Sequence, residues 1–482
     1  MLKHHLKLVP RRRTFWTAAP PSSPFTKYSE NYPSKIDHKI LFSSLPPTQL
    51  TRLPNRLRVA TQLLPTNNTT TVGIWVDPGP YLTSSKWKGV NHVLDRVIYK
   101  GTDLEKEIAM MGGDLLALTS REQISFQATN LIGGGGDVSL ALQFLGAVLE
   151  YPRFGDEDVH REFAMVSRER QEAEDQLAKE FLLEHLHACA FEISAPGTPI
   201  VGSATKVITK EDVRNYMSEH FTPDRMVVVA AGGGIRHEEI TEQAKSIFNK
   251  PGRGVSLDRL VKQGKDLYKK VLRAPKILFE EPEDIFTGSE VRFEDCGEAL
   301  GKFAIAFKGA SWSDADSVQL MVIKELLSST LLARLGSEGI AENMTIFNTN
   351  YKDVGLFGVY AISKPEFSGD LASLVMLELT QLCSKVSRDD LVRARNKVKA
   401  SLLLNMDKTK CVAEDIGCQI LAHGQRIPYA ELFEDIDAVD VKDIKAVVSR
   451  FIYNQDIVVV AAGAVQGIPD YNWFRRRTFG CS

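Results

Sequence analysis

The chain has 482 residues, of which 43% are hydrophobic and 25% are charged, and its formal net charge is −2. This length is too great for one hydrophobic core and predicts two or more domains. The balanced charge gives no general attraction to nucleic acid. The sequence contains no run of about 18 apolar residues, so we expect no membrane span. We therefore expect a multidomain globular protein without nucleic-acid binding or a transmembrane segment.

Residues 1–40 are predicted to be a mitochondrial transit peptide. Six Lys or Arg residues precede the first acidic residue, Glu30, and Ser, Thr and Pro fill much of the segment. A basic, acid-free leader without a long apolar stretch is typical of mitochondrial rather than secretory targeting. A basic tail with no targeting role is the alternative. The six cysteines form no C-x-x-C pair, so we expect reduced thiols.

The elements that follow predict an α+β fold. Alternating apolar residues favour strands at 72–76, 115–119 and 124–129, the last two forming a pair. Helices are expected at 89–99, 138–149 and 156–191, before a buried strand that begins near residue 227. Such mixing of helices with a largely antiparallel sheet is typical of the α+β class.

The second half of the chain repeats the first. Three matches share an offset of 231 positions: the sequence VVVAAG at 227–232 and 458–463, Val72 with Phe303, and Asp212 with Asp443. Matches in one order at one offset predict two tandem homologous α+β domains. The predicted boundaries are an N-terminal domain at 50–248, a charged linker at 249–287, a C-terminal domain at 288–468 and a tail at 469–482.

The helix predicted at 89–99 carries a degenerate metal-site motif. His92 and Arg96 are four residues apart, with Asp95 between them. In the pattern H-x-x-E-H, two His on one helix face bind zinc and the Glu activates water. Arg96 has no lone pair to donate to a metal. Taken alone, a single His on a helix is more often a packed residue than a ligand.

A second acidic element lies in the helix predicted at 156–191. Glu169 and Glu172 are three residues apart and therefore share a helix face. Taken alone, the pair is best interpreted as part of a solvated acidic surface. An acidic surface could also attract basic peptides.

Together with the repeat, these residues resemble a family of H-x-x-E-H metallopeptidases. It contains the β-subunits of the mitochondrial processing peptidase and the related core protein 1 of the cytochrome bc1 complex. The resemblance runs from about residue 51 to 477, and it implies that the two halves face each other like the halves of a clam. It is carried by the segments 92–96, 99–102, 111–113, 119–123, 347–352, 413–417 and 470–478.

The resemblance implies a location and a set of partners. These are the mitochondrial matrix or the matrix face of the inner membrane, an α-type subunit (core 2 in the bc1 complex) that encloses a cavity with this chain, and basic presequence peptides. In that family the peptide adds as a strand to a sheet edge near zinc. Here the corresponding strand residues are Leu115, Leu116, Ala117, Leu118 and Thr119.

The resemblance also assigns the site residues. His92 corresponds to the first zinc ligand, Glu172 to the distal carboxylate ligand and Glu169 to its neighbour. Asp95 occupies the position of the general base, although its side chain is one methylene shorter than Glu. Arg96 replaces the second His, and this cation could form an ion pair with Glu172 or Asp95.

These departures predict a disabled hydrolytic centre. With Arg96 in place of His, only two of the three protein ligands that catalytic zinc requires remain. We therefore expect a β-type or core-1-like subunit with a structural role. One alternative is an active zinc endopeptidase that removes presequences and uses a substitute third ligand. The other is a module that binds presequences without cleaving them.

Overall fold

The structure is a computed structural model that describes residues 37–38, 42, 45–78, 87, 89–100, 113–130, 135–176, 178–191, 207–248, 285–295 and 297–479. Most of the predicted leader and linker lies outside these ranges. Among the described residues, no helix combines the length and apolar character needed to cross a bilayer. The four described cysteines, Cys189, Cys383, Cys411 and Cys418, are free thiols.

The first half is built on a six-stranded sheet. Its strands are β1 (Gln49–Arg52), β2 (Arg58–Leu63), β3 (Thr70–Val76), β4 (Asp114–Thr119), β5 (Ile124–Asn130) and β6 (Met226–Gly232). They lie in the order β1-β2-β6-β3-β5-β4, so that β4 is an edge strand. The helices of this half are α1 (Val90–Val97), α2 (Gly135–Glu150), α3 (Asp156–Asp175), α4 (Lys179–Ala190), α5 (Lys210–His220) and α6 (His237–Phe248).

The second half is built on a five-stranded sheet. Its strands are β7 (Ser289–Glu294), β8 (Gly301–Gly309), β9 (Asn343–Asn350), β10 (Gly355–Ser363) and β11 (Val458–Gly463), in the order β7-β11-β8-β10-β9. Its helices are α7 (Ser317–Glu338), α8 (Ser368–Gln381), α9 (Arg388–Met406), α10 (Thr409–His423), α11 (Tyr429–Ala438), α12 (Val441–Phe451) and α13 (Tyr471–Arg477). The α+β prediction is confirmed.

The duplication inferred from sequence extends to the register of the strands. Val72 pairs with Ala230 in the first sheet, and Phe303 pairs with Ala461 at the same offset in the second. In both sheets the first strand of the repeat runs parallel to the last, β2 to β6 and β7 to β11. One pairing differs between the two sheets. The register of β10 on β8 is shifted by two residues compared with the register of β5 on β3. The two sheets therefore share most of their strand pairing. A one-residue slip would move every side chain of a strand to the opposite face of its sheet.

The helix predicted at 156–191 is wrong as a single element. Helix α3 ends at Asp175 and α4 begins at Lys179, after Ala178 in an extended backbone conformation (φ −62°, ψ 159°). The interruption lets α4 leave the first half and cover the second sheet. There its apolar face is buried with residues of β8, β10 and β11: Leu182, Leu186 and Ala190 with Ala304, Leu356, Val458 and Val460.

The second half contributes a helix to the first in return. Helix α10 packs on β3 and β6, where Val412, Ala413, Ile416 and Ile420 form a buried cluster with Ala60, Trp75, Val227 and Val229. At its centre the Trp75 indole Nε1 donates a 3.1 Å hydrogen bond to Glu414 Oε2. The other face of each sheet packs against helices of its own half. This exchange joins the halves through buried apolar surface, the main stabilising contribution in folding.

Candidate functional site

Helix α1 positions the degenerate motif. The helix begins after Gly89, whose φ of 78° is accessible to glycine without strain. Val93, Leu94 and Val97 are completely buried in the core of the first half. The helical period then places His92 and Arg96 on the opposite face, where both are only partly buried and lie beside α3. The local sequence thus presents this face to α3.

Arg96 is held by a bidentate ion pair with Glu169. Its Nη1 donates to Oε1 at 2.8 Å and its Nη2 donates to Oε2 at 2.5 Å. This fork-to-fork geometry is the strongest arrangement available to a guanidinium and a carboxylate. The sequence suggested Glu172 or Asp95 as the partner, and the structure corrects this to Glu169. Asp95 precedes Arg96 by one residue and so points about 100° away around the helix.

The Asp95 carboxyl has a strongly raised pKa. Burial raises its pKa to about 7, while the nearby Thr119 hydroxyl and the Arg96 guanidinium act in the opposite direction. Its Oδ1 has no hydrogen-bond partner among the described residues, and its Oδ2 lies 3.7 Å from His92 Nδ1. A pKa near 7 would suit a general base. The raised pKa of Asp95 is therefore compatible with a general base, and the hydrolytic capacity of the site depends on its metal ligands.

The donor set does not fit a catalytic zinc. His92 is one nitrogen donor, and burial together with the Arg96 charge lowers its pKa, which favours the neutral imidazole. Glu172 is exposed one turn beyond Glu169 on α3. Across the described ranges, no group of three His, Cys, Asp or Glu side chains is arranged to hold a metal. Where a second His ligand would stand, Arg96 offers N–H donors and a positive charge, both unfavourable toward Zn²⁺.

We predict that Arg96 and Glu169 are energetically coupled. Their side chains are 28% and 46% exposed, so solvent screening limits the coupling to about 0.5–1 kcal/mol. A double-mutant cycle with Arg96→Ala and Glu169→Ala, measured by chemical unfolding at low salt, tests this. The matched control pairs Arg96→Ala with Glu172→Ala, which should give no coupling. Equal coupling in both cycles would contradict the specific pair.

Among the described residues, the predicted peptide-binding strand β4 is an edge strand of the first sheet. Asp114 and Leu118 are exposed, and Leu115, Leu116, Ala117 and Thr119 are partly buried. At its far end, the Thr119 hydroxyl donates to the Asn91 carbonyl at 3.2 Å, which ties the strand to α1. The Tyr99 hydroxyl donates to the Leu116 carbonyl at 3.2 Å. An edge strand has unpaired backbone groups that another strand can use.

Two contacts of the site were missed from the sequence. Glu169 was expected only as a neighbour of a ligand, although its opposite charge to Arg96 was a signal that could have suggested the pair. The position of Thr119 beside Asp95 had no sequence signal, because it depends on how β4 lies against α1. The structure therefore brings together His92, Asp95, Arg96, Glu169 and Thr119, and it leaves Glu172 in solvent.

Comparisons with known proteins match nearly the whole chain. Residues 58–204 match the family described as insulinase (peptidase family M16), and residues 208–398 match the peptidase M16 inactive domain. The chain is 43% identical over 480 residues to a probable mitochondrial-processing peptidase subunit beta of Arabidopsis thaliana, covering 95% of this chain and 86% of that protein. It is 35% identical to the mitochondrial-processing peptidase subunit beta of Blastocladiella emersonii, covering 93% and 94%.

A solved structure has the same fold. A chain of complex III2 from Candida albicans, with Inz-5 bound, superposes with a TM-score of 0.75 at 21% identity. The match covers 90% of this chain and 100% of that chain. At this identity the likeness concerns the fold alone.

Proposed function

This chain belongs to peptidase family M16, and from that premise we propose that it is a mitochondrial, β-type processing-peptidase or core-1-like subunit with a disabled hydrolytic centre. Its role is structural: it pairs with an α-type subunit, core 2 in a bc1 complex, and contributes one wall of the enclosed cavity. Its place is the mitochondrial matrix or the matrix face of the inner membrane. The names of the relatives and the basic leader support this location.

The bidentate pair between Arg96 and Glu169 carries the proposal. In a metallopeptidase the cation at this position is the metal, which polarises the scissile carbonyl and lowers the pKa of its bound water. A guanidinium can neutralise the acidic residues of α3, but it has no open coordination position for water. The ion pair therefore balances the charge between α1 and α3 but cannot activate water for hydrolysis.

The proposal predicts neither stoichiometric zinc nor cleavage. The purified chain, dialysed against trace zinc, should contain far less than about one zinc per molecule by mass spectrometry. Combined with its α-type subunit, it should leave a basic presequence peptide uncut. One equivalent of zinc together with turnover would establish the alternative, an active endopeptidase with a substitute ligand. A matched chain with His92→Ala should behave as the wild type does.

A gain of metal binding provides the complementary arm of this test. Arg96→His combined with Asp95→Glu recreates the H-x-x-E-H pattern. Glu172 lies about one helical turn from Glu169, which binds Arg96 in the unsubstituted chain. This double variant should bind about one zinc, and adding Glu172→Gln should remove it. Failure to gain zinc would mean that further features of the site are also lost.

The position of β4 at the edge of the described sheet favours a second candidate function, presequence binding without cleavage. Exposed acidic residues near the end of α3, Glu172, Glu174 and Asp175, could attract basic peptides. The peptide assay described above separates the candidates, since a binding module would retain the uncut peptide with an affinity that falls steeply with salt. The structural subunit would show no saturable binding.

A further inference from the structure

The N-terminal anchor, comprising His38, Phe42, Leu45 and Thr48, ties the start of the described chain to the second half. His38 is only 6% exposed, and its Nε2 lies 2.6 Å from Asp437 Oδ2 at the end of α11. Its ring contacts Phe433 edge-on, with centroids 5.5 Å apart. A histidine this deeply buried and partnered is part of the folded protein.

Phe42 and Leu45 continue the contact. The Phe42 ring meets Phe433 edge-on at 5.0 Å and stacks with Tyr429 at 6.0 Å. The Phe42 amide donates to the His38 carbonyl, and the Leu45 amide donates to the Phe42 carbonyl, each at 3.0 Å. Leu45 then packs against the cluster that α10 forms with the first sheet. These residues thus cover apolar surface contributed by both halves.

The polar end of the anchor joins the two halves directly. Arg426, from the second half, donates through Nη1 to Thr48 Oγ1 at 2.9 Å and to Gln62 Oε1 of β2 at 2.8 Å. Its Nη2 donates to Asp415 Oδ2 at 3.0 Å, so one guanidinium bonds side chains of both halves. Phe42, Leu45 and Thr48 also line a cavity of about 410 Å³ beside this network. Removing the anchor would open that cavity and expose its apolar lining.

From these contacts we infer that the anchor belongs to the mature protein and that maturation cleaves the chain before Asp37, within the basic segment 1–36. A cut after Phe42 would remove the buried partner of Asp437 and the ring on Tyr429 and Phe433. A cut before Asp37 removes none of these contacts. The position of the cut rests on the proposed mitochondrial function, whereas the structural role of the anchor does not.

The position of the cut is tested on the whole precursor. The full chain is imported into isolated mitochondria, and the N-terminus of the product is sequenced. A product that begins at or before Asp37 supports the inference, and one that begins at residue 38 or later overturns it. A chain that enters but stays uncut overturns the proposed cut, and one that does not enter contradicts the mitochondrial location itself.

The anchor itself is tested by truncation in vitro. A chain beginning at residue 37 should keep the Tm of the mature protein, whereas one beginning at residue 46 should melt at least about 2–4 °C lower. If the shorter chain fails to fold, Phe42→Ala in the longer chain gives the same test, with Leu50→Ala as an exposed control at the rim of the same cavity. Equal Tm values for Phe42→Ala and the unsubstituted chain would overturn the anchor.

Discussion

Replacing Gly417 with alanine is expected to lower the free energy of unfolding by about 1–3 kcal/mol or more, because the site has no room for a methyl group. An added Cβ would lie 2.4–2.6 Å from three atoms of the Trp75 indole. Trp75 is completely buried and bonded to Glu414, so its ring cannot withdraw. Since α10 comes from the second half and β3 from the first, the substitution pushes the two halves apart. Thermal unfolding and limited proteolysis would measure this.

The chain offers a matched control for this substitution. Gly369 also lies in a helix, but its added Cβ would meet nothing closer than 3.4 Å, so Gly369→Ala should change the stability by less than about 1 kcal/mol. Combining Gly417→Ala with Trp75→Phe should cost less than the sum of the single changes, because the smaller ring leaves space. Strict additivity, or a Gly417→Ala protein as stable as the wild type, would contradict steric overlap with Trp75.

The free energy of unfolding is expected to decrease as the pH is lowered, because His187 becomes protonated in the unfolded chain. Burial, and then the nearby Arg121 charge, lower the pKa of His187 from 6.5 to about 3. Its Nδ1 donates to the Leu183 carbonyl at 2.6 Å, so its Nε2 must accept from the Tyr351 hydroxyl at 2.8 Å. This bonding fixes the neutral tautomer and joins α4 to the second half.

The direction follows from the two pKa values. Between pH 6.5 and 3 the unfolded chain binds a proton at His187 that the folded protein does not. The contribution of His187 is therefore complete above pH 6.5 and is lost as the pH falls, by up to about 1.4 kcal/mol per pH unit. Chemical unfolding from pH 7 to pH 5 should show this slope in the wild type and a smaller slope in His187→Asn.

An exposed histidine provides the control for the pH experiment. His160→Asn, at an exposed position on α3, makes the same substitution without removing a buried imidazole. Because the measured quantity is a slope, a His187→Asn protein that is less stable at neutral pH remains informative. Parallel pH curves for the wild type and His187→Asn would show that His187 does not carry the effect.

The sequence was most informative where the signal was local and periodic. The period of two at residues 72, 74 and 76 recurs at 303, 305 and 307, and both sets lie in buried central strands. The motif at 92–96 lies on a helix as predicted, because its apolar residues follow the helical period. The prediction of one continuous helix at 156–191 was wrong, because periodicity shows which face of a helix is apolar but not which half of the protein buries that face.

The sequence by itself determined the duplication, the α+β class and the absence of a second His from the motif. All three follow from residue identity and spacing along the chain. Only the tertiary structure decided that Glu169 takes the Arg96 guanidinium and that the halves exchange α4 and α10. These outcomes depend on side chains that lie far apart in sequence, such as Arg96 and Glu169, and their distance is set by the packing of helices and sheets.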